Sequence, residues 1–132
     1  MPIKFEKKET YQVVIDGENT VLASRCKPAA DFFSRFIGLM FRESLDDEEA
    51  LLIVPCNSIH TFFMRFPIDL VFLDREWNVV TEKRNIAPGR IISPINGAWA
   101  VVELKGGRID FMGIGDSIAG RKVRVEPVPK HQ

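Results

Sequence analysis

Short runs of apolar residues, separated by glycine, proline and acidic turn residues, recur along this chain of 132 residues. The runs are rich in Val, Ile and Phe and are short, which favours strands over helices. Seven of them predict strands, at residues 10–15, 20–26, 50–55, 68–74, 77–86, 97–104 and 121–128. Between the first two lie Asp16 and Gly17, residue types that suit the positive φ angles of a hairpin turn. With the segment from residue 55 to 67, the pattern predicts seven or eight strands.

One stretch, PAADFFSRFIGLMF at residues 28–41, has helical spacing instead. Its apolar residues recur every three or four positions and are Ala29, Phe32, Phe33, Phe36, Ile37 and Met40. Asp31 and Arg35 fall on the opposite, polar side, Pro28 suits a first turn, and Gly38 suits an end. The aromatic stripe indicates core packing. The fold class predicted is therefore mainly β (α+β), a small barrel or rolled sheet with one amphipathic helix against an opening.

Length and charge restrict the possible classes of protein. A chain of this size forms one domain, so residues 1–132 are expected to share one core, with a frayed tail at 127–132. Eighteen basic and eighteen acidic residues balance, which argues against a nucleic-acid partner. Because we find neither an apolar run of membrane-spanning length nor a signal peptide, we expect a soluble, cytoplasmic protein without a membrane span. An exported protein whose signal had been trimmed would have the same sequence.

The segment PCNSIHTFFMRFPIDLVFLD, residues 55–74, places polar groups among apolar ones. Successive side chains of a strand point to opposite faces, so Asp69 is expected to share a face with Val71 and Leu73. Burying a carboxylate without partners costs several kcal/mol, so Asp69 should be hydrogen-bonded, paired or neutral. Arg65 is the nearest candidate partner in the sequence.

A second carboxylate, Glu103, also lies in an apolar strand and is expected on the face of Trp99 and Val101. Two such acids can carry general acid and base chemistry if their carboxyls face one cleft. The alternative, which the sequence favours, is that each accepts hydrogen bonds from backbone N–H groups or arginine. Both interpretations stay open at this point.

Cys56 and His60 suggest a thiol nucleophile with its base. Four residues of extended strand span about 13 Å, whereas the pair must approach to about 3 Å, so a turn at Asn57–Ser58 would be needed. The alternative is a core cysteine and a histidine bonded to a backbone carbonyl or to Asp69. Metal-ligand spacings such as CxxC are missing from the sequence, so no metal or cofactor is predicted. Cys26 and Cys56 are not expected to form a disulfide, although their redox state stays open.

Four sequence motifs occur in an order typical of one family: IGLMFRESL, then CNSIHTFFMRFPIDLVFLD with NVV, then VVELKGG, then GIGDSI. Together they resemble the family called domain of unknown function 192, over residues from about 20 to 120. The resemblance implies a compact β-rich domain, found both as cytoplasmic chains and behind export signals, with no established activity. Lys105, Gly106 and Gly107 stand where members often have Pro-Ala-Gly.

Three functional hypotheses follow. The leading one is a non-enzymatic binding domain that accepts a small molecule or glycan in a cleft with Phe62 as an apolar wall. Its candidate cleft residues are His60, Thr61, Met64, Arg65, Asp69 and Glu103. The first alternative is a hydrolase using Asp69 with Glu103, or Cys56 with His60. The second is a protein-interaction module that pairs an exposed strand edge with a partner, through residues 121–125.

Overall fold

The computed structural model describes residues 5, 6 and 8–129 and has the predicted mainly β class. Nine strands and two short helices occur in this described part of the chain. The strands are β1 (Tyr11–Ile15), β2 (Thr20–Ala29), β3 (Glu49–Ile53), β4 (Ile59–His60), β5 (Ile68–Leu73), β6 (Val79–Ile86), β7 (Ile91–Ile92), β8 (Ala100–Lys105) and β9 (Val123–Pro127). The helices are α1 (Phe32–Ile37) and α2 (Arg108–Met112). Neither helix, nor any other in the described ranges, is long and apolar enough to cross a membrane.

Seven strands form one curled sheet in the order β6-β5-β8-β3-β2-β1-β9, and β4 pairs separately with β7. The pairings in the large sheet are antiparallel except between β2 and β3. Its two edge strands approach each other through a bridge between Asn78 and Lys122. There the N–H of Val123 donates to the carbonyl of Trp77 at 2.8 Å. The sheet therefore curls into a half-barrel around a central core.

Strand alternation divides the apolar residues into two clusters on the two faces of the sheet. The interior cluster includes one or more residues from each strand of the large sheet, among them Val13, Leu22, Leu52, Val71, Val79, Val102 and Val123. The outer cluster lies mainly over β3, β5 and β8 and includes Ile53, Leu70, Phe72 and Val101. Because the two central strands β5 and β8 are covered on both faces, they are buried almost throughout.

The predicted helix at 28–41 is too long. Pro28 and Ala29 belong to β2, where they pair in parallel with β3, and the helix begins after Asp31, whose carboxylate accepts from the N–H of Ser34 at 2.7 Å. It ends at Gly38, as predicted. Apolar spacing alone did not separate the end of a strand from the start of a helix. The side chains of Phe32, Phe33 and Phe36, for which core packing was predicted, lie outside the described residues.

The sequence also predicted one helix, whereas α2 is a second. The turn at Gly106 and Gly107 leads directly into it. An added Cβ at Gly106 would lie 2.9 Å from the backbone of Pro67, so the chain packs there too closely for a side chain. Because α2 has only five residues, it is too short to give a recognisable helical period.

The sequence predicted a frayed tail from residue 127, but residues 127 and 128 are hydrogen-bonded or paired in the structure. Pro127 ends β9 opposite Tyr11, and the N–H of Val128 donates to the carbonyl of Thr10 at 3.0 Å. Residues 130–132 of the predicted tail lie outside the described residues.

Candidate ligand-binding cleft

Asp69 is fully buried and is held by backbone groups. One carboxylate oxygen accepts from the N–H groups of Asn85 at 2.8 Å and Gly107 at 3.1 Å, and the other accepts from Ile109 at 2.8 Å. Arg65, the partner suggested by sequence proximity, is instead 59% exposed and lies 3.9 Å from Glu43. Asp69 therefore ties β5 to β6 and to the start of α2, and its hydrogen-bonding capacity is used inside the fold.

The two buried acids lie on opposite faces of the sheet. In the pairing of β5 with β8, Asp69 is opposite Leu104 and Leu70 is opposite Glu103. Leu104 belongs to the interior cluster and Leu70 to the outer one. The carboxyls of Asp69 and Glu103 consequently do not face one cleft, and the acid-pair hydrolase loses its geometric basis. Trp99 was expected on the same face as Glu103, but it packs against the interior cluster. It precedes β8, which begins at Ala100, so the alternation of side chains along that strand does not extend to it.

Glu103 has the less satisfied environment of the two acids. It is 3% exposed, and its Oε1 atom has no hydrogen-bond partner within the part of the chain that the structure describes. Desolvation by burial raises the pKa of this carboxyl to about 8. At neutral pH the group is therefore mostly protonated and can both donate and accept a hydrogen bond.

A cavity of about 290 Å³ opens beside Glu103 on the outer face of β3 and β8. Its apolar walls come from the end of α1 and the chain after it, from β3, and from the segment around β4: Ile37, Leu39, Met40, Ile53, Ile59 and Met64. Arg35, Cys56 and His60 add polar groups to the lining. We call this cavity the outer cleft. It combines mostly apolar walls with a few convergent polar groups, as small-molecule sites do.

The sequence did not identify Arg35 and Gly38 as cleft residues. Arg35 was expected on the solvent side of its helix, yet its Nη1 donates to the carbonyl of Pro55 at 3.2 Å and its buried Nε meets no acceptor among the described residues. Gly38, at φ 52°, lies over Glu103, because a Cβ there would be 3.5 Å from Oε1. The end of α1 at Gly38 brings both residues to the cleft. The sequence indicated that end, but not that the end lies over Glu103.

Cys56 and His60 both line the outer cleft, but the thiol is not activated. Burial raises the pKa of Cys56, and the charge of Glu103 adds to this, while the hydrogen bond to Ser58 and the charge of Arg35 lower it. The Sγ atom lies 3.0 Å from the carbonyl oxygen of Ser58. The Nδ1 atom of His60 accepts from the N–H of Phe62 at 3.3 Å, and the two rings stack. A catalytic thiol needs a lowered pKa, so the hydrolase hypothesis loses its second basis.

We expect iodoacetamide to alkylate Cys56 of the native protein more slowly than free cysteine at pH 7, because the raised pKa reduces the thiolate fraction. Cys26 is fully buried with its pKa raised to about 12, and it should react only after unfolding. Peptide mass spectrometry after timed labelling measures both rates. Labelling of Cys56 faster than free cysteine would indicate an activated thiol and restore the nucleophile hypothesis.

The remaining candidates from the 55–74 segment lie away from the lining of the outer cleft. Thr61 is fully buried; its hydroxyl lies 2.8 Å from the carbonyl of Ala87 and accepts from the N–H of Arg90 at 2.7 Å, so it fixes the loop before β7. Phe62 is partly exposed and contacts the cleft residue His60. Of the predicted cleft residues, His60, Met64 and Glu103 come together, whereas Thr61, Arg65 and Asp69 do not join them.

Residues 121–125, the proposed partner-binding edge, are engaged within the fold. Arg121 forms an ion pair with Glu18 at 2.8 Å, and Arg124 pairs with Asp16. Val123 pairs with β1 and also bonds to Trp77 across the closing edge. The closing contact at Val123 occupies the start of the outer backbone edge of β9, and a protein partner stays a prediction.

A metal centre finds no support in the described ranges, where no group of three or more His, Cys, Asp or Glu side chains is placed to hold an ion. Fold and site together define a class: a small domain built on a rolled sheet, with a mostly apolar cleft on its outer face that a buried acid helps to line. Within that class the chain belongs to the domain of unknown function 192 family, described as an uncharacterized ACR, whose family model matches residues 12–123.

Relatives and solved structures agree with this assignment. A UPF0127 protein of Thermococcus sibiricus is 39% identical over 105 residues, which is 74% of this chain and 67% of the relative. A UPF0127 protein of Pyrococcus horikoshii is 31% identical over 96 residues, covering 69% of this chain and 81% of the relative.

Two crystal structures have similar folds. A protein of unknown function from Novosphingobium aromaticivorans has a TM-score of 0.72 and 25% identity, covering 87% of this chain and 83% of that one. A protein from Sinorhizobium meliloti, described as a candidate transcription regulator, has a TM-score of 0.75 over 93% of this chain and 96% of its own. At 18% identity the second likeness shows the fold alone.

Proposed function

We propose that this protein is a binding domain that accepts a small organic molecule in the outer cleft. The observation that carries the proposal is Oε1 of Glu103, a buried oxygen without a hydrogen-bond partner among the described residues, in a side chain that lines a cavity. Buried polar atoms in native proteins are nearly always hydrogen-bonded, and exceptions call for a functional explanation. A bound molecule that donates to this oxygen would supply the missing bond.

The walls and the size of the cleft support a compact ligand with an apolar body. The lining is mainly aliphatic and methionine side chains, and Met40 and Met64 face it from two different segments. Methionine adapts its shape to varied ligands. A volume of about 290 Å³ lies at the lower end of the range for small-molecule sites. Because a glycan needs many polar partners, these walls favour a small molecule over a glycan.

Thermal-shift screening of a fragment library tests this function. At a ligand concentration of ten times Kd, binding stabilises the folded state by about 1.4 kcal/mol, which raises Tm by a few degrees. We expect the shifts of cleft-binding fragments to disappear in E103L, which keeps a side chain of similar size and removes the carboxyl. The matched control is E43L, at a glutamate whose side chain is 89% exposed, and its shifts should equal those of the wild type. Hits that shift E103L as much as the wild type would contradict the proposal.

A further inference from the structure

We infer that the ligand of the outer cleft is uncharged and presents an amide-type group, a hydrogen-bond donor beside an acceptor, to the carboxyl of Glu103. This inference rests on the proposed function and adds the chemical class of the ligand. It starts from the unpartnered Oε1 atom, which needs a hydrogen-bond partner, in a carboxyl that lines the cleft while only 3% exposed.

A protonated carboxyl has one O–H donor and a neighbouring acceptor oxygen. A carboxamide or lactam matches both at once, because its N–H donates to the acceptor oxygen and its carbonyl accepts the carboxyl proton. A ligand with only an acceptor would leave one carboxyl oxygen without a donor, and an unmade buried hydrogen bond costs about 1–3 kcal/mol. Paired donors and acceptors are therefore the best complement to Glu103.

Charged ligands fit the cleft less well. An ammonium group would enter a cleft that already contains the Arg35 guanidinium and would lose its hydration among aliphatic walls. A carboxylate has acceptors only, so it can take the carboxyl proton of Glu103 but leaves the other carboxyl oxygen without a donor. The Nη1 donor of Arg35 is bonded to the carbonyl of Pro55, and its Nε, which has no acceptor among the described residues, can donate to the carbonyl oxygen of an amide as well as to a carboxylate. These contacts leave an uncharged head group as the class that pairs with Glu103 at neutral pH.

Three aromatic probes of nearly equal size separate the classes: benzamide, benzylamine and benzoate. Binding is measured by NMR of protein labelled at the methionine methyl groups, with Met40 and Met64 reporting on the cleft and Met112, which packs against the interior cluster, as the internal control. At pH 7 we expect benzamide to bind at least about fivefold more tightly than the charged probes, since one unmade buried hydrogen bond changes affinity by roughly that factor or more.

Variants at Glu103 test the role of the proton. Gln keeps a donor and an acceptor but cannot ionise, so E103Q should bind benzamide with an affinity that does not change from pH 7 to 9.5. The wild-type affinity should fall above pH 8, where Glu103 ionises. Arg35 from α1, Cys56 after β3 and His60 from β4 are the other charged or titratable groups lining the cleft. H60N and C56A should keep the wild-type pH dependence, which assigns it to Glu103. In E103L, benzamide should bind at least about fivefold more weakly.

The outcomes distinguish the inference from the function beneath it. Preferential binding of benzylamine or benzoate, with Met40 and Met64 responding, would overturn the amide class and leave a binding cleft. Equal binding of benzamide to E103L and the wild type would do the same. A lack of response of both methionines to all three probes would overturn the inference and count against the proposed function as well.

Discussion

Replacing Asp69 by alanine is expected to lower the free energy of unfolding by about 3–5 kcal/mol, a large loss for a single polar side chain. The substitution leaves three backbone N–H groups, those of Asn85, Gly107 and Ile109, without their buried acceptor. Bonds to a charged acceptor are stronger than those to a neutral one. The loss would loosen β6 and the start of α2 together.

D69N refines this test, because an amide oxygen can still accept from Asn85 and Gly107 while its NH₂ group faces the N–H of Ile109. We expect it to lose about 2 kcal/mol, less than the alanine variant. Urea unfolding followed by the fluorescence of the two tryptophans measures each value. The control is D47N, at an exposed ion pair with Lys105, which should change stability by less than about 0.5 kcal/mol. A D69A protein as stable as D47N would contradict the structural role of Asp69.

Replacing Glu103 by glutamine should change how stability depends on pH. The pKa of Glu103 is about 8 in the folded protein and about 4.5 in the unfolded chain. Below pH 4.5 both states are protonated. Between pH 4.5 and 8 the unfolded chain loses its proton and the folded protein keeps it, so wild-type stability falls by about 1.4 kcal/mol per pH unit. Above pH 8 the loss levels off at about 4–5 kcal/mol.

Glutamine cannot ionise, so the stability of E103Q does not fall between pH 4.5 and 8 as that of the wild type does. The free energy of unfolding of E103Q minus that of the wild type should therefore rise through this pH range. The cost of burying the amide shifts this difference by a constant and does not change its slope. Urea unfolding at pH 5, 6, 7, 8 and 9 gives the difference at each pH. E43Q, at the exposed Glu43, is the control for the same substitution outside the cleft. A flat difference for E103Q would mean that Glu103 ionises normally in the folded protein, and the account of the cleft would lose its neutral acid.

Parity within a strand was the most informative signal in the sequence. It predicted that Asp69 shares a face of β5 with Val71 and Leu73, and the structure confirms this. It also predicted that a buried Asp69 would be hydrogen-bonded, as the structure shows. The hairpin at Asp16–Gly17 was also predictable, because its residue types fit a turn between β1 and β2. These features depend on neighbours in the chain, where residue types and spacing act directly.

The rest depended on contacts that spacing does not encode. Parity assigns faces within one strand but not between strands, so only the register of β5 on β8 shows that Asp69 and Glu103 point apart. Arg65 is close to Asp69 in sequence. The groups that donate to Asp69, however, come from residues 16 to 40 positions away. The outer cleft is likewise assembled from distant segments, which is why Arg35 and Gly38 were missed.

The most direct test of a ligand cleft is the response of the methionine methyl groups to a fragment library. M40L, M64L and M112L assign the three signals from described residues. The account predicts that binding fragments shift the signals of Met40 and Met64, leave that of Met112 in place, and lose their effect in E103L but not in E43L. A library that moves neither Met40 nor Met64, or that acts through Met112, would contradict a binding function for the outer cleft.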